Sequence, residues 1–236
     1  MDIQNQCEQS PVTLNCTVDV SPYIFRKFVR GLVVGPSCSG KTELVKKIIR
    51  HHINLFEPTV KGVIWFHEVS HAKPDLSDIK DIEKTFIGDA KDLIKIVTSG
   101  FIKDKILVID DSMFCNEKTI LDIYTKYSHH FSFHVFALTQ NLFPNSRLAR
   151  TISLNSNFLL LLKNCRDSKQ ISVLASQLAP GNGQYILDAY KRSTECAFSY
   201  LSIDLYPQTP DVLRVRGNIF SDEGPLNVFL PKLKND

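Results

Sequence analysis

The apolar positions of this chain fall in short unbroken runs. Gly31–Val34, Gly62–Phe66, Lys105–Ile109, Phe133–Leu138 and Phe158–Leu162 are each four to six residues long and rich in Val, Ile, Leu and Phe. Strands with no polar alternation are those covered on both faces. Between them lie stretches with helical spacing at Lys41–His51, Ala90–Thr98, Glu117–Lys126 and Ser168–Leu178. This strand–helix alternation predicts an α/β fold with a mainly parallel central sheet flanked by helices. After the Pro180-Gly181-Asn182-Gly183 break, the pattern predicts a helix near Gln184–Arg192 and two strands, Phe198–Leu205 and Leu213–Arg216.

The remaining segments read differently. Residues 1–22 are polar, broken by Pro11 and Pro22, and predict an extended arm or an early edge strand. Ser70–Asp89 is polar, carries Pro74 and several acids, and reads as a surface excursion with one short helix. Pro225–Asp236 reads as a tail. The expected organisation is therefore an arm (1–22), one domain (23–224) and a tail (225–236). A length of 236 residues suits one sizeable α/β domain.

Composition narrows the class only slightly. Hydrophobic residues at 43% and charged residues at 22% are ordinary for a globular protein. The net charge of +3, from 28 basic and 25 acidic residues, permits nucleic-acid contact without arguing for it. The six cysteines are scattered, with no C-x-x-C pair, which fits reduced thiols in a cytosolic or nuclear compartment. No apolar run approaches the roughly 18 residues of a membrane span. The N-terminus lacks a basic-then-apolar leader pattern, so a soluble protein that is not secreted is expected.

The chemistry is concentrated after the first apolar run. Gly35-Pro36-Ser37-Cys38-Ser39-Gly40-Lys41-Thr42 is a complete G-x-x-x-x-G-K-[ST] loop between a strand and a helix. In such a loop the glycines let backbone N–H groups converge on phosphates, Lys41 neutralises the β/γ oxygens and the Thr42 hydroxyl ligates Mg²⁺. The helix dipole behind it favours the same anion. A nucleoside triphosphate with Mg²⁺ is the expected ligand. Cys38 lies within the loop beside Lys41, a setting that favours a thiolate; the plain alternative is a small residue without special chemistry.

A second constellation ends the Lys105–Ile109 run. Asp110 and Asp111 would reach the sheet edge where the loop also lies. Asp110 is placed to hold Mg²⁺ through water, and Asp111 to act as base for the attacking water. An Asp-Asp turn without chemistry is the alternative. The Phe133–Leu138 run ends in Thr139-Gln140-Asn141, where Gln140 could sense the γ-phosphate or orient water, or simply cap the strand. Arg147, Arg150, Arg166, Arg214 and Arg216 are each either solvated or an arginine finger supplied across a subunit interface. The His51-His52 and His129-His130 pairs read as polar helix ends rather than metal ligands.

The string HVFALTQNLFPNSRLARTISLNSNFLLLLKNCRDSKQI resembles the sensor region of the FtsK/HerA superfamily. Its members carry ATQRP-like strand ends followed by a DSR-like element, here Leu138-Thr139-Gln140-Asn141 and Arg166-Asp167-Ser168. The likeness covers about residues 25–220. It extends to the poxvirus-type genome-packaging ATPases and their Polinton/Maverick and adintovirus-like versions, through Thr209-Pro210-Asp211-Val212-Leu213-Arg214-Val215-Arg216-Gly217-Asn218-Ile219-Phe220. The resemblance implies a RecA-like, additional-strand P-loop ATPase forming a homo-oligomeric ring that pumps double-stranded DNA into a preformed viral capsid. Capsid or portal proteins would be its partners, and the host nucleus, a cytoplasmic virus factory or the virion its location. Lys41, Thr42, Asp110, Asp111 and Gln140 carry over. Asp111 departs from the Glu that relatives often place at the base position, and Arg150 matches the trans arginine best, with Arg147 and Arg166 as alternatives. A small P-loop nucleoside or nucleotide kinase is the rival reading, although no arginine-rich lid follows a glycine hinge. A nucleotide-gated adaptor is the third.

Overall fold

The computed structural model describes residues 13–14, 24–25, 28–67, 73–110, 117–143 and 146–231. Ten strands form one sheet: β1 (Thr13–Leu14), β2 (Arg30–Val34), β3 (Gly62–Phe66), β4 (Glu83–Ile87), β5 (Lys105–Ile109), β6 (His134–Thr139), β7 (Phe158–Leu162), β8 (Tyr200–Asp204), β9 (Val215–Gly217) and β10 (Asn227–Phe229). The helices are α1 (Lys41–Arg50), α2 (His52–Leu55), α3 (Ala90–Thr98), α4 (Glu117–Asp122), α5 (Ser128–His130), α6 (Arg147–Asn155), α7 (Lys169–Leu178) and α8 (Gln184–Ser193). The strand order is β1-β10-β9-β8-β7-β2-β6-β5-β3-β4. Five pairings, from β7 across to β4, are parallel, and the four from β7 out to β1 are antiparallel. The protein is an α/β fold with a mostly parallel sheet flanked by helices.

The unbroken apolar runs have a direct physical explanation. Successive side chains of a strand point to opposite faces. Leu32 and Val34 of β2 join a core shared with Leu93 of α3, Leu174 of α7 and Ile186 of α8. Val33 between them joins a second core with Val45 and Ile48 of α1. β3, β5, β6 and β7 divide in the same way, so the positions between the ends of these strands need an apolar residue on either face. Gly31 admits the packing at one crowded point: a Cβ there would lie 2.4 Å from the Phe136 ring.

Several segments differ from the sequence expectation. The excursion predicted at Ser70–Asp89 contains strand β4, which pairs in parallel with β3 at the sheet edge. Its half-exposed Glu83–Phe86 stretch lacks the buried-strand signature. The predicted tail contains β10, held between β9 and β1. A three-residue strand is too short to leave a pattern. Thr13–Leu14 is the early edge strand predicted within the arm. The single helix expected over Glu117–Lys126 is α4 followed by a π-helical turn at Ile123–Tyr127 and then α5. Within that turn the buried Tyr124 hydroxyl donates to the Gly31 carbonyl (3.1 Å) and lies 2.8 Å from Ser156 Oγ. Burial pushes its phenol above the usual range, so it stays a neutral donor. Among the described residues no helix is long and apolar enough to cross a membrane.

His134, at the start of β6, gives the fold a pH dependence. The ring is buried and its Nδ1 accepts the Val29 N–H at 3.3 Å. Burial, opposed only by the Asp104 charge, lowers its pKa from 6.5 to about 4. The folded state therefore resists a proton that the unfolded chain binds, and stability falls as pH drops from 6.5 towards 4. The loss should approach about 3 kcal/mol at the acid end of that window. Urea unfolding of wild type and His134→Phe across pH 7 to 4 measures it. The variant, less stable at neutral pH because the Val29 N–H loses its acceptor, should close most of the gap as pH falls.

Candidate functional site

The carboxyl ends of the parallel strands share one edge of the sheet, and the pairing registers define it. Val34 is level with Thr139 of β6 and Leu161 of β7. Ile109 is level with Ala137 of β6 and Phe66 of β3. The first residues beyond these strands, Gly35, Gln140, Asp110 and His67, thus leave the sheet along the same edge. β6 lies between β2 and β5. Gly35 and Asp110 are consequently two strand spacings apart, roughly 10 Å, with Gln140 in the interval.

The loop after β2 is anchored at both ends. Its entry is fixed by the Gly35 N–H donating to the Thr139 carbonyl (3.1 Å), and a tight turn is closed by the Ser39 N–H on the Pro36 carbonyl (3.2 Å). Gly35 must lack a side chain, since a Cβ would stand 2.5 Å from Ser39 Oγ and 3.0 Å from Leu162 Cβ. Cys38 and Gly40 both take positive φ, 62° and 97°. Only the latter is a glycine, so Cys38 holds a conformation that most side chains avoid. Ser39 Oγ is buried and makes no hydrogen bond among the described residues. Lys41 begins α1, is 8% exposed, and donates from Nζ to the carbonyls of Gly35 (2.9 Å) and Pro36 (3.1 Å). Its ammonium is thereby folded across the loop. Thr42 stands half-buried on the first helical turn. Backbone N–H groups, an ammonium and a helix N-terminus make this concavity suited to an anion.

The far end of α1 is moored to the antiparallel strands. Lys47 Nζ lies 3.0 Å from Asp222 and 2.8 Å from Glu223, and 4.5 Å from the centre of the Phe220 ring. Tyr200 donates to the second Glu223 oxygen at 2.6 Å and accepts the Ile219 N–H at 3.1 Å. Burial opposes both charges, yet the contacts outweigh it: Lys47 is held above its usual pKa and Asp222 below.

The other predicted site residues separate into groups. Asp110 is half-buried at the end of β5, its N–H bonded to the Phe66 carbonyl (3.0 Å). Asp111 lies outside the described residues. Gln140 is exposed at the end of β6. Just beyond it the Leu142 N–H donates to Gln170 Oε1, and Gln170 Nε2 to Asp167 Oδ2, each at 2.7 Å. The segment after β7 is thus tied to the segment after β6. Arg147 and Arg150 sit exposed on the first turn of α6, a helix the apolar pattern did not predict. Serine and threonine hydroxyls bonded back to helix carbonyls obscure that helix in the sequence, as Thr151 Oγ1 does to Arg147 (2.9 Å). Arg166 is exposed after β7. Arg214 and Arg216 are committed within the chain: Arg214 Nε to Asp211 and the buried Arg216 to Asp204, both at 2.7 Å. Neither suits a finger reaching into another subunit.

Sequence reasoning overlooked two side chains. His67, buried one residue beyond β3, follows an apolar run as Asp110 does, and that rule would have found it. Phe198 was expected to open a strand, but β8 begins at Tyr200. Phe198 instead occupies the preceding turn with φ 64°, is 68% exposed, and lies against Gly40. It borders a cleft of about 520 Å³ whose other walls are Cys38, Gly40, Lys41, Thr42 and Glu43.

The histidine pairs lie at helix ends. His51 follows α1 and stands 3.7 Å from Asp222, His52 Nδ1 is 2.9 Å from the Ile49 carbonyl, and His129 and His130 close α5. Among the described residues no three or more His, Cys, Asp or Glu side chains gather as metal ligands. Cys38, Cys165 and Cys196 are free and exposed. Comparison of the chain with models of known protein families and with curated proteins gives no match.

Proposed function

We propose that this chain is a Mg²⁺-dependent ATPase of the RecA-like, additional-strand P-loop class, and that it moves double-stranded DNA into a viral capsid as a ring. One observation carries the nucleotide part. The complete Gly35–Thr42 loop and Asp110 leave the same sheet edge, separated by the strand that Gln140 follows. In the proposed additional-strand arrangement, β6 would be the inserted strand. A γ-phosphate seated at the loop would then face Gln140 and Asp110, and not bare sheet.

The roles follow from what each group can supply. Lys41, already shared between two carbonyls, can transfer its ammonium to phosphate oxygens with little change of position. Thr42 and Asp110 offer the oxygen donors that Mg²⁺ prefers, and the ion would offset charge on the β- and γ-phosphates. Asp111 is assigned as the base that takes a proton from the attacking water, and Gln140 as the group that orients it. Arg150, exposed at the start of α6, is assigned to stabilise the transition state in a neighbouring subunit, with Arg147 and Arg166 as alternatives. The DNA-packaging part rests on the TQNLFP and TPDVLRVRGNIF strings and the resemblance they carry.

Turnover measured with and without duplex DNA is the first test. DNA should stimulate it, and binding should weaken steeply with salt and show little sequence preference, as phosphate-backbone contacts dictate. Lys41→Ala should lose nucleotide affinity, whereas Asp111→Asn should bind nucleotide and lose roughly 10²-fold or more in kcat. Near-normal turnover in Asp111→Asn would remove that residue as the base. Turnover indifferent to DNA, with phosphate passing to a nucleoside, would replace the motor by a kinase.

Assembly can be tested by complementation. A ring whose sites are completed by a neighbour is head-to-tail and closed. Arg150→Ala should lower turnover by about 10³-fold. Mixed with Asp111→Asn it should recover partial activity, because some interfaces then pair an intact base with an intact arginine. Mixed rings that stay inactive would pass the role to Arg147 or Arg166.

A further inference from the structure

Phe198 combines three features that packing alone does not explain. It is a large apolar side chain left 68% exposed. Its φ of 64° is one that bulky residues seldom adopt, and such outliers are retained where surrounding structure imposes them. Here the turn is fastened on both sides: Ser199 Oγ donates to the Cys196 carbonyl (2.7 Å), and Lys163 Nζ to the Glu195 carbonyl (2.9 Å). The ring is presented to Gly40, where a Cβ would lie 3.0 Å from Phe198 Cδ1. It forms one wall of the cleft that continues from the loop past Thr42 and Glu43.

The direction of a bound triphosphate says what enters that cleft. Gln140 and Asp110 lie on the β6 side of β2, so the terminal phosphate points that way. The nucleoside end must leave on the opposite flank, towards β7 and β8, where the turn before β8 carries Phe198. A cleft of about 520 Å³ lies within the range of small-molecule sites. We infer that Phe198 is the platform on which the base of the bound nucleotide stacks, an inference that rests on the nucleotide reading of the Gly35–Thr42 loop. Stacking on an aromatic face tolerates any base, so the platform contributes affinity for nucleosides as a class and leaves discrimination among bases to other groups.

Binding of ATP and of inorganic tripolyphosphate, which has the phosphates and no base, separates this inference from the one beneath it. In Phe198→Ala the ATP affinity should fall roughly 5- to 150-fold, the usual worth of one base–aromatic stack, while tripolyphosphate affinity stays at the wild-type value. Phe198→Trp should retain ATP affinity, and its new exposed indole should be quenched by ATP and not by tripolyphosphate. Unchanged ATP affinity in Phe198→Ala, with wild type binding both ligands, would overturn the stacking role and leave the nucleotide site standing. Equal loss of both ligands would overturn it too, since Phe198 would then act by shaping Gly40. If wild-type protein bound neither ligand, the nucleotide reading itself would fall and this inference with it.

Discussion

Burial of β2 on both faces and pairing on both edges is the constraint from which the rest of this structure follows. Its side chains enter two separate cores, and its backbone is laddered to β6 and β7. Such a strand cannot slip by one residue without reversing every side chain between the two cores. The point at which the chain leaves the sheet is therefore fixed at Gly35, and the Gly35 N–H bond to Thr139 ties that exit to the end of β6. The concavity, the lysine across it and the helix behind it inherit their positions from this register.

The helix behind the loop is constrained a second time. Lys47, Asp222, Glu223 and Tyr200 bind α1 to the antiparallel end of the sheet through their side chains. Partly exposed ion pairs of this kind contribute little stability singly. Here the Tyr200 hydroxyl also binds Glu223 and the Phe220 ring lies against the Lys47 ammonium, so the cluster moors α1 to the sheet even though Asp222 stays exposed. The Leu142–Gln170–Asp167 chain does the same for the segments beyond β6 and β7.

Legibility from sequence followed burial. β2, β3, β5, β6 and β7 are buried on both faces, and their apolar runs placed them to within a residue. The amphipathic helices α1, α3, α7 and α8 were equally clear, and the loop between β2 and α1 announces itself by its glycines and lysine. Two strands were not readable: β4, at one edge, is half-exposed and β10 has three residues, so neither leaves a period. α6 was hidden by its polar hydroxyls, and Phe198 by its strand-like neighbours, because a positive φ has no signature in a residue other than glycine. The strand order, which brings Gln140 between the loop and Asp110, belongs to the sheet and not to any local stretch.

The topology also dictates an order of events during synthesis. Among the described strands β2 precedes all its direct partners, which come much later: the Val29 N–H meets His134 at a separation of 105 residues, and the Arg30 N–H meets Asn157 at 127. Contacts that distant close slowly, because the chain entropy of the intervening loop is lost before any pairing compensates it. While ribosomes extend the chain through β3, β4 and β5, the Gly31–Val34 segment is an apolar strand with both edges open, the kind of segment that invites pairing with another nascent chain. The loop that follows it takes shape only when β6 and β7 arrive, so nascent chains and C-terminal truncations ending before Phe158 lack the framework that gives Gly35–Thr42 its shape.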